Sequence, residues 1–127
     1  MRDIANYRRT EIRAAAVLTN SYVNATVLTE AWRYNQCVLL IQTTLGSLTS
    51  IEVRVETSFD NTTWFQETFS QFNTATQSLE QVGDRTFTAS GNYRIAFSVA
   101  DNYIRVAIKG TGTVTSSSAT IDAVLAR

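Results

Sequence analysis

The residues that could carry chemistry are few, and the chain has a single cysteine, Cys37. It has no histidine, which excludes a Ser-His-Asp triad, an imidazole base and an ordinary His-containing zinc site. No imidazolium can therefore lower the pKa of the Cys37 thiol. Since Cys37 opens the apolar run 37–41, we expect it to be a small buried side chain and not a nucleophile.

Two carboxylates share a face of one predicted strand, Glu52 and Glu56. The rise of a strand separates them by about 13 Å, which is wider than a glycosidase pair requires. Arg54 lies between them, so the pattern favours a solvated ladder of charges that pairs with neighbouring strands. With no acid–base constellation elsewhere, the sequence predicts that the protein is not an enzyme.

The segment 60–64 offers two further kinds of site. Asp60, Asn61 and Thr62 carry oxygen atoms that could bind calcium, but the spacing lacks the EF-hand pattern and its closing Glu. We expect a plain turn there, and no metal or cofactor. Trp64 could stack on a sugar beside this turn, or it could close one end of the core, and the second interpretation is favoured.

The elements that would position these residues are β-strands. Apolar and polar side chains alternate in 51–57, 92–99 and 103–109, which is the period of strands with one buried face. The run 37–41 is apolar throughout and predicts a central strand that is covered on both faces. β-branched and aromatic residues favour the same class of structure.

About eight strands are expected, and turn residues punctuate them at 45–47, 60–63, 83–84 and 101–102. Many short strands at this spacing predict an all-β fold, an antiparallel β-sandwich of jelly-roll-like type. The chain has no proline, so its sheet edges need protection by charge, bulges or a partner chain. The approximate strand ranges, of which one could merge with a neighbour, are 14–19, 23–30, 36–44, 50–58, 63–70, 85–90, 92–100, 103–110 and 118–126.

Two segments fit this pattern poorly. Residues 1–13 are predicted to form an N-terminal arm that docks on a neighbouring subunit, with the sandwich domain at 14–127; a frayed or short helical terminus is the alternative. The polar segment 71–84 is expected to be a long loop, or to hold a short helix at 75–81. The candidate contact residues of the arm are Arg2, Arg8, Arg9 and Arg13.

Charge and hydropathy limit the partners. The chain has 11 basic and 11 acidic residues, which argues against nonspecific binding to nucleic acid. It has no run of 18 apolar residues and no apolar segment near its start, so we expect neither a membrane span nor a secretory signal. Ten of the eleven basic residues are arginines, which suits contacts between subunits or an ordinary charged surface.

A resemblance emerges from several motifs taken together. The stretch 51–67 consists of a strand, the element Ser58-x-Asp60-x-Thr62-x-Trp64 and a second strand. It is followed by 91–95, by 103–114 and by the closing segment 119–125. With these motifs, residues 15–126 resemble small β-sandwich structural proteins of tailed bacteriophages and prophages. The element at 58–64 also resembles strands of galactose-binding-like sandwiches.

The resemblance implies a virion component and transfers no catalytic residue. From it we expect a capsid decoration (cement) protein, made in the cytoplasm of a host bacterium, that binds the major capsid protein as a homo-oligomer such as a trimer. A neck, tail or fibre component of the virion is one alternative. A carbohydrate-binding module that uses Trp64 is another.

Overall fold

The computed structural model describes residues 7–127, and strands dominate this part of the chain. One turn of 3-10 helix, at Ala31–Arg33, is the only helical segment within it. The strands are β1 (Tyr7–Ala16), β2 (Val23–Asn24), β3 (Gln36–Thr44), β4 (Leu48–Ser58), β5 (Phe65–Gln66), β6 (Phe69–Asn73), β7 (Ser78–Val82), β8 (Asp84–Phe87), β9 (Gly91–Ser98), β10 (Tyr103–Gly112) and β11 (Ser118–Ala126).

Two antiparallel sheets pack against each other. The first sheet has the order β1-β11-β3-β9. The second sheet has the order β2-β10-β4, and both β5 and β8 pair with the remaining edge of β4. The prediction of an all-β antiparallel sandwich is therefore confirmed.

The core lies between the sheets and is built from alternate positions of each strand. On β3, Leu39 and Ile41 are fully buried, and on β4 the same is true of Val53 and Val55. Because β-branched and leucine side chains stand perpendicular to the sheets, they interdigitate across the space between them. The other core strands contribute Ile95, Phe97, Ile104, Val106, Ile108, Ile121 and Leu125.

Most connections carry the chain from one sheet to the other. β3 and β4 lie in different sheets, as do β8 and β9, and β10 and β11. Asp101 and Asn102 do form a short turn, but it links β9 to β10 across the sandwich and does not close a hairpin. In contrast, the turn predicted at 60–63 closes a hairpin between β4 and β5.

Several strand limits agree closely with the sequence prediction, and others do not. The ranges 36–44 and 118–126 coincide with β3 and β11. The range 23–30 is reduced to β2 and one isolated bridge at Leu28. The predicted range 103–110 is extended to Gly112 in β10, which ends in a bulge where Gly112 has a φ of 110°.

The predicted boundary between arm and sandwich falls inside β1. Residues 7–13 pair with β11 along the edge of the first sheet, with register shifts on either side of Arg13. They are part of the sandwich and are neither a free arm nor a helix. The rest of the proposed arm, which includes Arg2, lies outside the described residues.

The polar segment 71–84 is mostly a hairpin. β6 and β7 pair only with each other among the described strands, and they are inserted between β5 and β8. Both expectations for this segment, a long loop and a short helix at 75–81, are therefore wrong. At the base, Phe69 is buried against the core, whereas the side chains from Ser70 to Gln81 are exposed except for the half-exposed Asn73.

No helix in residues 7–127 is long and apolar enough to cross a membrane.

Candidate functional site

The outward side of the second sheet carries two ion pairs and several side-chain hydrogen bonds. We call it the charged face, and its charged members are Glu52, Arg54, Glu56, Asp84, Arg105 and Lys109. Alternation puts Glu52, Arg54 and Glu56 on this side of β4, because Val53 and Val55 face the core. The register sets Arg105 of β10 opposite Glu56 and Lys109 opposite Glu52, and opposite charges at such positions stabilise a sheet.

Arg105 joins three elements on the charged face. Its Nη2 and Nε donate to Glu56 Oε1 at 2.9 and 3.2 Å. Its guanidinium also lies over the Trp64 ring, 4.2 Å from the centroid, where the ring's negative face attracts a cation. Trp64 is partly buried, so the indole acts as a cover for the ion pair.

A second group centres on Asp84. Arg54 Nε and Gln66 Nε2 both donate to Asp84 Oδ1, at 3.1 and 2.9 Å. Gln66 thereby ties β5 to β8 across the base of the inserted hairpin. A Cβ atom at Gly83 would lie 2.6 Å from Gln66 Nε2, so a larger residue there would displace the end of the Gln66 side chain.

Opposing effects act on the pKa of Asp84. Burial would raise it, but the Arg54 guanidinium, Tyr22 and Gln66 together hold it below its ordinary value. The bond to Asp84 in turn raises the pKa of Arg54. Both groups are therefore charged at neutral pH.

Tyr22 covers the middle of the charged face. Its ring lies 4.2 Å from the Arg54 guanidinium and 5.0 Å from the Lys109 amine. Its hydroxyl is buried and makes no hydrogen bond of regular geometry. Burial first, and then the nearby Asp84 carboxylate, raise the pKa of the phenol, so it stays neutral.

The two carboxylates considered from sequence are both engaged within the chain. Glu52 accepts hydrogen bonds from Ser50 Oγ and from Thr111 Oγ1, and Glu56 accepts from Arg105. This is the cross-strand ladder that the sequence predicts. The three carboxylates of the charged face, Glu52, Glu56 and Asp84, therefore all accept hydrogen bonds from side chains of the same chain.

The turn after β4 holds its own carboxylate. Asp60 Oδ1 accepts from the backbone nitrogens of Thr63 and Thr62, at 2.8 and 2.9 Å, and from Ser58 Oγ at 3.0 Å. These bonds, that from Thr63 first, lower the pKa of Asp60. Asn61 adopts a left-handed φ of 61°. Residues 7–127 contain no group of three acidic, cysteine or histidine side chains that could hold a metal ion.

Cys37 is fully buried on the inner side of β3. Burial raises the pKa of its thiol to about 12, against a smaller opposing effect of Arg8. The thiol is therefore protonated at neutral pH, as expected for a small core side chain.

The arginines predicted to contact a partner have different roles. Arg13 donates to the backbone oxygens of Ala119, Ala16 and Val17 and so fixes the irregular end of β1. Arg9 is bonded to Asp122 at 2.7 Å on the outside of the first sheet.

Arg8 lies toward the ring of Tyr34, 5.7 Å from its centroid. Arg8, Arg9 and Arg13 therefore each contact a different part of the same chain, and Arg2 lies outside the described residues.

Two apolar surfaces were not expected from the sequence. On the hairpin, Phe72 pairs with Leu79, and the two side chains are 52% and 73% exposed. At one end of the sandwich, Trp32 and Phe59 are 61% and 62% exposed. Asn102 links their two loops. Its backbone oxygen accepts a hydrogen bond from Ala31 N, and its side-chain Nδ2 donates one to Phe59 O.

A third apolar surface is the outward side of the first sheet. We call it the apolar face, and its central members are Val38, Leu40, Ala96 and Val124. Cross-strand register places Val38 beside both Val124 and Ala96. The sequence predicts that the run 37–41 is covered on both faces, but in the single chain Val38 and Leu40 are only half-buried.

No protein-family model matches this chain, and no curated protein is significantly similar to it.

Proposed function

We propose that the protein is a structural component of a tailed-phage virion, a capsid decoration protein that binds the assembled head and stabilises it. Two lines of argument support this. The first is the resemblance of residues 15–126 to small phage β-sandwich proteins. The second is a surface suited to binding another protein, and the observation that carries the proposal is the exposed pair on the inserted hairpin.

The hairpin is built to reach a partner. Its base is fixed by Phe69 and by the Gln66–Asp84 bond, while Phe72 and Leu79 lie beside each other on its outer part. Burying such side chains contributes roughly 1–2 kcal/mol each. If the protein binds only to the assembled shell, this binding energy stabilises the assembled shell relative to its separate subunits. The effect is repeated at every copy.

The arginines and the tryptophan that the sequence analysis named as candidate contact residues give less support for a contact with the shell. Arg9 and Arg13 are already bonded within the chain. A carbohydrate-binding role would need an open ring at Trp64, but Arg105 occupies one face of that ring. We therefore place the shell contact on the hairpin.

The test is binding to purified phage heads from which this protein has been removed. Wild-type protein should cosediment with the heads and raise the temperature at which they release DNA. Replacing Phe72 and Leu79 together by Ser should abolish both effects. The matched control replaces Gln71 and Glu80, the neighbouring cross-strand pair, by Ser, and it should bind like the wild type.

Copy number decides between positions in the virion. Hundreds of copies per particle support decoration of the head. About six or twelve copies would assign the protein to a neck or tail ring, and absence from particles would refute the proposal.

A further inference from the structure

The apolar face has the composition of a protein interface. Its centre is Val38, Leu40, Ala96 and Val124, and Leu40 is the middle residue of β3. Around this centre lie Asp122, which is paired with Arg9, and the uncharged polar residues Gln36, Gln42, Ser98 and Thr120. An apolar centre with a polar rim is typical of surfaces that bind another protein.

One row of residues across the four strands has acidic residues at one edge of the apolar face and an arginine at the other. The register aligns Glu11, Asp122, Leu40 and Arg94 across β1, β11, β3 and β9. Asp122 is paired with Arg9, whereas neither Glu11 nor Arg94 makes an ion pair with any residue in the range 7–127. Three strand spacings, about 14 Å, separate these two residues within one chain, so they cannot pair with each other there.

We propose that the apolar face is the surface through which two copies of this chain associate. A two-fold axis parallel to the strands, midway between β11 and β3, places β1 of one copy over β9 of the other. Glu11 then faces Arg94 of the second copy, and Arg94 faces the second copy's Glu11. Val38 faces Val124 of the second copy, and Asp122, which is already paired with Arg9, faces the second copy's Leu40. Each contact occurs twice, as a two-fold interface requires.

The dimensions of the face agree with such a dimer. Four strands of nine or so residues present about 600 Å² per copy, from the spacing and rise of strands. The total of about 1,200 Å² reaches the lower end of the range for specific interfaces. Aligned sheets pack about 30° apart. Because the row through Leu40 lies at the middle of β3, this rotation shifts Glu11 and Arg94 of the second copy relative to each other by about 4 Å along the strands, a distance that their long side chains can span.

The pairing also relieves a repulsion within the chain. Glu11 and Asp122 are directly opposite each other on β1 and β11, and like charges at such positions destabilise a sheet. Arg94 of a second copy adds a positive charge beside this acidic pair. This chain carries both members of the proposed pair, Glu11 on one edge strand and Arg94 on the other. That arrangement favours a second copy of the chain over a different partner.

The test is the mass in solution, by light scattering and sedimentation over a range of concentrations. The wild type should form a dimer of twice the 14.1 kDa chain mass. Glu11→Arg and Arg94→Glu should each weaken the dimer at least about tenfold, because each places like charges in contact. The double variant exchanges the two charges and should restore association to near the wild-type level.

Each other outcome overturns the proposal. A wild-type monomer at millimolar concentration would do so, and so would a trimer, which needs head-to-tail contacts in place of a two-fold face. An oligomer unaffected by the single variants would place the interface elsewhere. If the double variant stayed dissociated, the partner of this face would be another protein, such as the shell itself. Circular dichroism on each variant confirms that it folds, and none of these results depends on binding to heads.

Discussion

The two outward faces of the sandwich differ in how far the chain itself satisfies them. On the charged face, Arg105 is paired with Glu56, and Arg54 is paired with Asp84. On the apolar face, Arg94 has no ion-pair partner in the described chain, and Leu40 is half-buried without a covering layer. The carboxylates of one face are paired within the monomer, and the other face has the apolar centre that a partner would cover.

The difference follows from what each sheet carries at alternate positions. β4 places three charges outward, Glu52, Arg54 and Glu56, and β10 places two, Arg105 and Lys109. Antiparallel register sets opposite charges beside each other. β3 and β11 place Val, Leu, Thr and Gln outward, with Asp122 as the only charge. A charged face of paired groups is protected against nonspecific contacts, whereas exposed apolar centres mark interaction sites.

The largest expected effect is a loss of stability, and it is measured for two neighbouring leucines on β3, one facing the core and one facing outward. Leu39 is fully buried between the sheets, and its neighbour Leu40 faces outward. Leu39→Ala should lower the free energy of unfolding by about 2–5 kcal/mol, because it leaves a cavity in the core. Leu40→Ala should lower it by less than about 1 kcal/mol in dilute solution, where the chain is monomeric.

Urea denaturation of both leucine variants measures this difference directly. The slope of the free energy against urea should stay unchanged, which shows that the variants differ in stability and not in unfolded-state compactness. Equal losses in the two variants would mean that the apolar face is covered within a single chain, and the comparison would fail.

A medium effect compares an arginine on each face. Arg105→Ala removes an ion pair and the contact with the Trp64 ring. Since both partners are partly exposed, the pair contributes up to about 1 kcal/mol, and the ring contact contributes about 0.5–1 kcal/mol more. The expected loss of unfolding free energy is therefore about 1–2 kcal/mol.

Arg94→Ala is the matched control for this measurement. Arg94 is exposed and makes no ion pair with the described residues, so its removal should change monomer stability by less than about 0.5 kcal/mol. A loss at Arg94 as large as that at Arg105 would show that Arg94 is held within the chain, and it would weaken the case for a partner.

The sheets themselves could be predicted from sequence because their signal is local. β3, β4, β9, β10 and β11 each bury one side, so their alternation or apolar run is visible in a few residues. β1 lacks this signal, since Ile12 is its only buried residue and its charged residues suggested an arm. The hairpin β6–β7 was missed for a related reason, because its apolar pair, Phe72 and Leu79, is exposed.

The pairs on the charged face could not be predicted, because they depend on register between distant segments. Arg105 and Glu56 are 49 residues apart, and Arg54 and Asp84 are 30 apart. The sequence suggests that Glu52, Arg54 and Glu56 form a ladder, but it does not name their partners. A partial signal for the hairpin was available, since Phe69 with Val82 and Phe72 with Leu79 are spaced symmetrically about residues 74–77.

The smallest expected effect is the pH dependence of the charged face. The pKa of Asp84 is lowered in the folded protein relative to about 3.9 in an unfolded chain. Between these two values the unfolded state binds more protons, so the free energy of unfolding falls as the pH falls. The contribution of Asp84 is therefore complete above about pH 5 and is lost as the pH drops through the folded value.

Asp84→Asn isolates this contribution, because the amide keeps the shape of the side chain and cannot titrate. At pH 7 the variant should be less stable than the wild type by up to about 1 kcal/mol, the size expected of a partly exposed pair. The gap should narrow as the pH falls toward 2, since protonation then removes the same charge from the wild type. A gap that stayed constant with pH would show that Asp84 acts through packing alone, and the charged face would then owe less to its ion pairs than the comparison requires.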